Sequence, residues 1–213
     1  MANPTRVFLA EDHGLVREGL KRVLREVPGL AVAGEADCAL ETMRLLRELP
    51  ADVLLLDISL PDKSGIELLR QLRREHPQLA ILMLSMHRED QYAIRALKAG
   101  AAGYMNKQAA SSELVSAIFT VAAGRKYITA TLAQEMARQL ADERAALPHE
   151  ALSDREYQTL TMIASGKSVT DIAQELSLSV KTVSMYRARL LEKMRMRHNA
   201  ELTHYALRNG LVD

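Results

Sequence analysis

Between residues 5 and 124, short unbroken apolar runs alternate with longer segments whose apolar residues recur every three or four positions. The runs are Val7-Phe8-Leu9-Ala10, Leu30-Ala31-Val32-Ala33, Val53-Leu54-Leu55-Leu56, Ile81-Leu82-Met83-Leu84 and a weaker Ala101-Ala102-Gly103-Tyr104-Met105. Between them, helical spacing predicts helices near 14–26, 38–48, 64–75, 88–98 and 111–123; Leu15, Val16, Leu20, Val23, Leu24 and Val27 trace one such stripe. A strand that is apolar at every position has both faces covered. Five of them separated by helices predict a doubly wound parallel sheet of the flavodoxin-like type, with strand order 2-1-3-4-5. After Gly124 the strand runs stop. Residues 130–146 read as an alanine-rich helix running into a Pro148-containing linker, and helices near 153–165, 169–176, 180–196 and 199–208 follow. Ser153-Asp154-Arg155-Glu156 has the form of a capping box, and Gly166 that of a helix stop. The expected organisation is an α/β domain over 1–124, a helical linker over 125–147 and a small all-α domain over 148–213.

Composition narrows the class. The chain has 213 residues and a net charge of +1, so the overall charge is no argument for or against nucleic acid, and charge must be read locally. Cys38 is the single cysteine, which excludes an intramolecular disulfide and fits a reducing compartment. No apolar run is long enough to span a bilayer, and the opening MANPTRVFLAEDH does not read as a signal peptide. A cytoplasmic protein without membrane association is expected.

Ligands of open parallel sheets bind beyond the carboxyl ends of the strands. There the chain places Glu11 and Asp12 after the first strand, Asp57 after the third, Ser85 after the fourth and Lys107 after the fifth. Two carboxylates about 4 Å apart repel by roughly 4 kcal/mol at an effective dielectric of 20. A hard cation relieves that repulsion, and Mg²⁺ suits a small carboxylate site. With Lys107 and Ser85 to hold phosphoryl oxygens, the set suits phosphoryl transfer to Asp57. Taken singly, each residue has a plainer reading as a turn former, a cap or a solvated charge; their common register carries the chemistry.

Glu11-Asp12, Asp57 with Pro61 and Gly65, Ser85 and Lys107 together resemble the receiver domain of bacterial two-component response regulators. The resemblance implies that a histidine kinase phosphorylates Asp57, and that Glu11, Asp12, Asp57 and the Ser59 carbonyl hold Mg²⁺. It also implies that Ser85 and Tyr104 are switch residues. Asp62-Lys63 departs from the glycine and apolar residue common in relatives, and Ser59 and His87 stand where the family tunes acyl-phosphate lifetime.

From Lys181 to Arg197 there are six basic residues against one acid, Glu192. A solvated helix face is the ordinary explanation of such a run. Here it follows the short helix near 169–176 and the turn Ser177-Leu178-Ser179, the spacing of a helix-turn-helix whose second helix enters the major groove. Leu152 to Glu156, Ile172-Ala173 and Val180 to Val183 resemble the NarL/FixJ (LuxR-type) effector domain. Helical spacing turns Val180, Val183, Leu190, Leu191 and Met194 inward and Lys181, Ser184, Met185 and Ala188 outward. Lys181 and Ser184 are candidates for reading base edges, Met185 and Ala188 for thymine methyls. Arg187, Arg189 and Lys193 are candidates for phosphate clamps, with Thr182 at a cap or a phosphate. The resemblance implies that the last helix, near 199–208, pairs effector domains on DNA; packing against its own helix-turn-helix is the alternative.

The leading expectation is a DNA-binding response regulator, not an enzyme, switched by Asp57 phosphorylation and forming a homodimer on double-stranded DNA. A small-molecule aspartyl phosphatase is an alternative, but such enzymes carry a second Asp two residues after the nucleophile, where this chain has Ser59. A phosphate-independent DNA-binding protein is another, and the complete acidic pocket argues against it.

Overall fold

A computed structural model of the chain describes residues 3–86, 91–141 and 147–212. They form two compact units, 1–141 and 142–213. The first unit is a five-stranded, wholly parallel sheet in the order β2-β1-β3-β4-β5: β1 (Thr5–Ala10), β2 (Leu30–Ala36), β3 (Val53–Asp57), β4 (Ala80–Ser85) and β5 (Gly103–Asn106). The helices are α1 (Gly14–Glu26), α2 (Ala39–Glu48), α3 (Gly65–Glu75), α4 (Gln91–Lys98), α5 (Ser111–Ala122) and α6 (Ala130–Ala141). This is the expected flavodoxin-like fold in the expected strand order.

The apolar runs become strands because each of their residues has a layer to enter. Val7, Leu9, Val53, Leu55, Leu82 and Leu84 pack on one face with Leu24, Leu114 and Ile118 from helices. The alternate residues Phe8, Leu54, Leu56 and Met83 are also fully buried, so the other face is covered too. Burying a side chain of this size contributes about 1.5–3 kcal/mol, enough to fix the strand register that sets the rim residues. β2 runs to Ala36, three residues past its apolar run. It is an edge strand with a half-exposed middle, so pattern alone understates its length. The weak fifth run becomes a four-residue strand starting at Gly103, where Leu82 and Tyr127 leave no room for a Cβ.

Residues 125–141, part of the segment expected as a linker, belong to the first unit. Tyr127 donates its backbone N–H to Ala102 at 2.9 Å and its hydroxyl to Glu113 at 2.7 Å, and Leu132 of α6 is buried. Residues 88–90 and 142–146, included in the expected helices near 88–98 and 130–146, lie outside the described residues, as does His87.

The second unit begins with a 3-10 turn, Pro148–Ala151, whose His149 Nδ1 lies 2.8 Å from the Tyr205 hydroxyl. Four helices follow: α7 (Asp154–Ala164), α8 (Val169–Glu175), α9 (Val180–Met194) and α10 (Asn199–Arg208). Leu160, Ile172, Leu176, Val183, Leu190, Met194 and Leu202 are buried within it. The capping box at Ser153 and Glu156 is formed, and a second one pairs Ser168 with Asp171. α9 stops two residues short of the expected 196 because Arg195 turns left-handed, φ 55°.

Candidate functional site

The carboxyl ends of β1, β3, β4 and β5 converge on one acidic pocket. Glu11 follows β1 and is buried; Asp57 is the last residue of β3 and is 1% exposed. Lys107, just past β5, extends its ammonium between them, 2.7 Å from Glu11 Oε2 and 2.9 Å from Asp57 Oδ2. Its backbone N–H donates to the Ser85 carbonyl at 2.8 Å, locking the β5 exit to the end of β4. The Ile58 N–H donates to Leu84 O at 3.0 Å and pins the β3 exit to the same strand. Gly65, opening α3, has a packing reason: a Cβ there would stand 2.2 Å from the Asp57 carbonyl oxygen.

Charge in this pocket is costly. Burial raises the Asp57 carboxyl to about 6; Glu11 pushes the same way, while Lys107 and the Ser59 N–H, 3.2 Å from Oδ1, oppose. For Lys107 burial pulls downward, but Asp57 and Glu11 outweigh it and the ammonium is held above its ordinary value. The carboxylates of Glu11, Asp12 and Asp57 thus outnumber the Lys107 ammonium that ion-pairs with two of them. Donor oxygens of Glu11, Asp12 and Asp57, with a ring nitrogen of His13, lie within 4.8 Å of one another, a set that fits a divalent cation. Asp12 is the most open of the three carboxylates, with its side chain 24% exposed.

Ser85 and Tyr104 are both fully buried beside this rim, and Tyr104 is paired in register with Met83 of β4. Two neighbours of the site had no role in the sequence pattern. His13 places Nδ1 2.7 Å from Asp12 Oδ1 and 3.1 Å from Glu11 Oε1. Asp62 accepts the backbone N–H groups of Ala39 and Leu40 at 2.8 and 2.9 Å, capping α2 from the loop that follows Asp57. The adjacency of Glu11, Asp12 and His13 was the only available signal for the first. A cap reaching across 23 residues leaves none for the second.

In the second unit, α8, the turn at Ser177 (φ 52°) and α9 make a helix-turn-helix. Ser179 caps α9 by accepting the Thr182 N–H at 3.0 Å, and its hydroxyl lies 2.7 Å from that of Thr182, so Thr182 is engaged in the cap. Lys181, Ser184, Met185, Ala188 and Arg189 are exposed along one side, opposite buried Val183, Leu190 and Met194. Val180, expected inward, is 49% exposed, because the first turn of the helix has no preceding turn over it. Arg187 donates Nε to Asn199 Oδ1 at 2.6 Å, tying α9 to the start of α10. The Lys193 ammonium lies 2.6 Å from Glu156 Oε2, so a phosphate there must compete with an existing ion pair. Burial raises the Glu156 carboxyl, but Lys193 and the Ser153 bonds outweigh this and hold it below the usual range.

Among the described residues no helix is long and apolar enough to cross a membrane. Residues 7–119 match the response regulator receiver domain, and residues 150–206 match the luxR family of bacterial regulatory proteins. The response regulator UvrY of Escherichia coli K12 is 41% identical over 97% of this chain and 95% of its own. The response regulator GacA of Pseudomonas aeruginosa is 40% identical over 98% of both chains. Among solved structures, RcsB from Salmonella enterica serovar Typhimurium bound to promoter rprA in the presence of the phosphomimetic BeF3⁻ superposes with a TM-score of 0.64. It is 27% identical and covers 95% of this chain and 98% of its own. A LuxR-family two-component response regulator from Aurantimonas reaches a TM-score of 0.61 at 38% identity, over 66% of this chain and all of its own. This chain belongs to the two-component response regulators that join a receiver domain to a LuxR-type helix-turn-helix domain.

Proposed function

We propose that Asp57 is the phosphoacceptor and that its phosphorylation controls DNA binding through α9. The observation that carries this is the buried ammonium of Lys107 held between Asp57 and Glu11 at the carboxyl edge of the sheet. The donor is the phosphohistidine of a kinase. A carboxylate oxygen of Asp57 attacks phosphorus, the phosphorus–nitrogen bond breaks, and its electron pair stays on the donor imidazole. Mg²⁺, held by Glu11, Asp12, Asp57 and the Ser59 carbonyl, would supply charge neutralisation on the transferring group. Lys107 shifts from carboxylate partner to phosphoryl partner. Ser85 contacts a phosphoryl oxygen, and Tyr104, two positions before the Asn106 that pairs with it, is the aromatic partner of the switch.

The output is a cytoplasmic homodimer on double-stranded DNA; the promoter-bound RcsB structure and that of two RcsB dimers bound to two parallel DNAs support the DNA-bound dimer. The receiver of residues 1–124 is the input and residues 148–213 are the effector, with the intervening segment coupling them. Lys181, Ser184, Met185 and Ala188 face the groove; Arg187, Arg189 and Lys193 face phosphates, and Thr182, held in the Ser179 cap, lies at a phosphate. Incubation with radiolabelled acetyl phosphate and Mg²⁺ tests the input directly. Wild type is expected to gain one hydroxylamine-labile phosphate and Asp57→Ala none; equal labelling of the two removes Asp57 from the chemistry.

A further inference from the structure

His13 sits at the N-cap of α1 but makes no side-chain cap bond. Its imidazole turns to the acidic pocket instead. Nδ1 stands 2.7 Å from Asp12 Oδ1 and 3.1 Å from Glu11 Oε1, and the His13 N–H donates to that same Glu11 oxygen at 3.2 Å. Adjacent ligands of an octahedral ion with bonds of about 2.1 Å stand about 3 Å apart. The ring nitrogen is thus at ligand spacing from both carboxylates, and it shares with Asp57 a cluster of donors within 4.8 Å. With its side chain 65% exposed, the ring lies at the solvent edge of this cluster.

We propose that His13 Nδ1 is a nitrogen ligand of the ion held in this pocket, and that it biases the site toward Mn²⁺ over Mg²⁺. The inference rests on the phosphoacceptor reading of the pocket. Mg²⁺ dehydrates reluctantly and takes oxygen, so an imidazole adds little to its binding. Mn²⁺ accepts carboxylate, water and imidazole together, and nitrogen donors favour first-row metals over Mg²⁺. When the ion enters, the ring carries its proton on Nε2 and presents the Nδ1 lone pair.

The test is Mn²⁺ binding to the full-length protein, followed by loss of the free-ion EPR signal and by pulsed EPR for directly bound ¹⁴N. Wild type is expected to bind Mn²⁺ with a ¹⁴N coupling. His13→Ala and His13→Gln are expected to lose the coupling and to bind Mn²⁺ on the order of tenfold more weakly, with Mg²⁺ affinity from competition changed much less. Circular dichroism confirms that both variants are folded; Gln keeps a hydrogen-bonding group but no ring nitrogen. Mn²⁺ bound without ¹⁴N coupling, or a coupling that survives in both variants, overturns the role of His13 alone. Wild type that binds no Mn²⁺ beyond an Asp12→Asn control overturns the metal part of the phosphoacceptor reading as well.

Discussion

The ionised form of Asp57 should destabilise the receiver in the absence of metal. Burial and Glu11 together raise its carboxyl from an ordinary 3.8 to about 6, against the pull of Lys107. A difference of that size corresponds to about 3 kcal/mol. The folded state then holds a proton that the unfolded state has lost between roughly pH 4 and 6. Stability therefore falls as pH rises through that window and levels off above it. Asp57→Asn removes the charge while keeping the shape, and Lys107 retains Glu11 at 2.7 Å. In EDTA at pH 7.5 the variant is expected to be more stable than wild type by up to about 3 kcal/mol. With urea slopes of about 1–3 kcal/mol/M, the midpoint of receiver unfolding moves up by roughly 1–3 M. At pH 4 the gap should nearly close. Added Mg²⁺ should narrow it at pH 7.5, because only the folded wild type gains from binding the ion. Urea titration followed by circular dichroism reads all three conditions. A variant no more stable than wild type at pH 7.5 in EDTA, or a gap independent of pH, refutes the reasoning.

Gly65→Ala forces a Cβ against the Asp57 carbonyl oxygen at 2.2 Å, so the β3 exit must move. A stability loss of about 1–3 kcal/mol is expected in urea, with slower labelling by acetyl phosphate. Glu156→Ala removes half of the α7 capping box and the partner of Lys193, at a cost of about 1–2 kcal/mol to the effector unit, read by thermal melting. The Glu156 carboxyl is held below its ordinary 4.5, so its contribution is present above that pH and lost as pH falls through the lowered value. Arg187→Ala should weaken binding to all DNA sequences and reduce the slope of log affinity against log salt by about 0.9. An unchanged slope leaves Arg187 with Asn199 and off the phosphate backbone.

The strands and the pocket were legible for a common reason. Runs such as Val53 to Leu56 are apolar at every position only when both faces are buried, and a parallel sheet fixes which ends its loops share. Asp57, Glu11 and Lys107 follow from that register. Tertiary contacts were not legible. Asp62 caps α2 from the far side of a loop, Lys193 reaches Glu156 across 37 residues, and Tyr127 pairs with the start of β5. None of these leaves a periodic trace. Val180 fits an inward stripe by spacing alone, yet a stripe covers only as far as the neighbouring helices reach. His13 was in plain view beside two carboxylates, but residue type does not say which way an imidazole turns.

The central claim is that phosphate on Asp57 changes how α9 engages DNA. Fluorescence anisotropy with a duplex selected by the full-length protein measures it directly, before and after treatment with acetyl phosphate and Mg²⁺. Phosphorylated wild type is expected to bind more tightly, by roughly 5- to 150-fold, while Asp57→Ala stays flat under the same treatment. Wild type that takes up phosphate on Asp57 and binds with unchanged affinity would contradict the account.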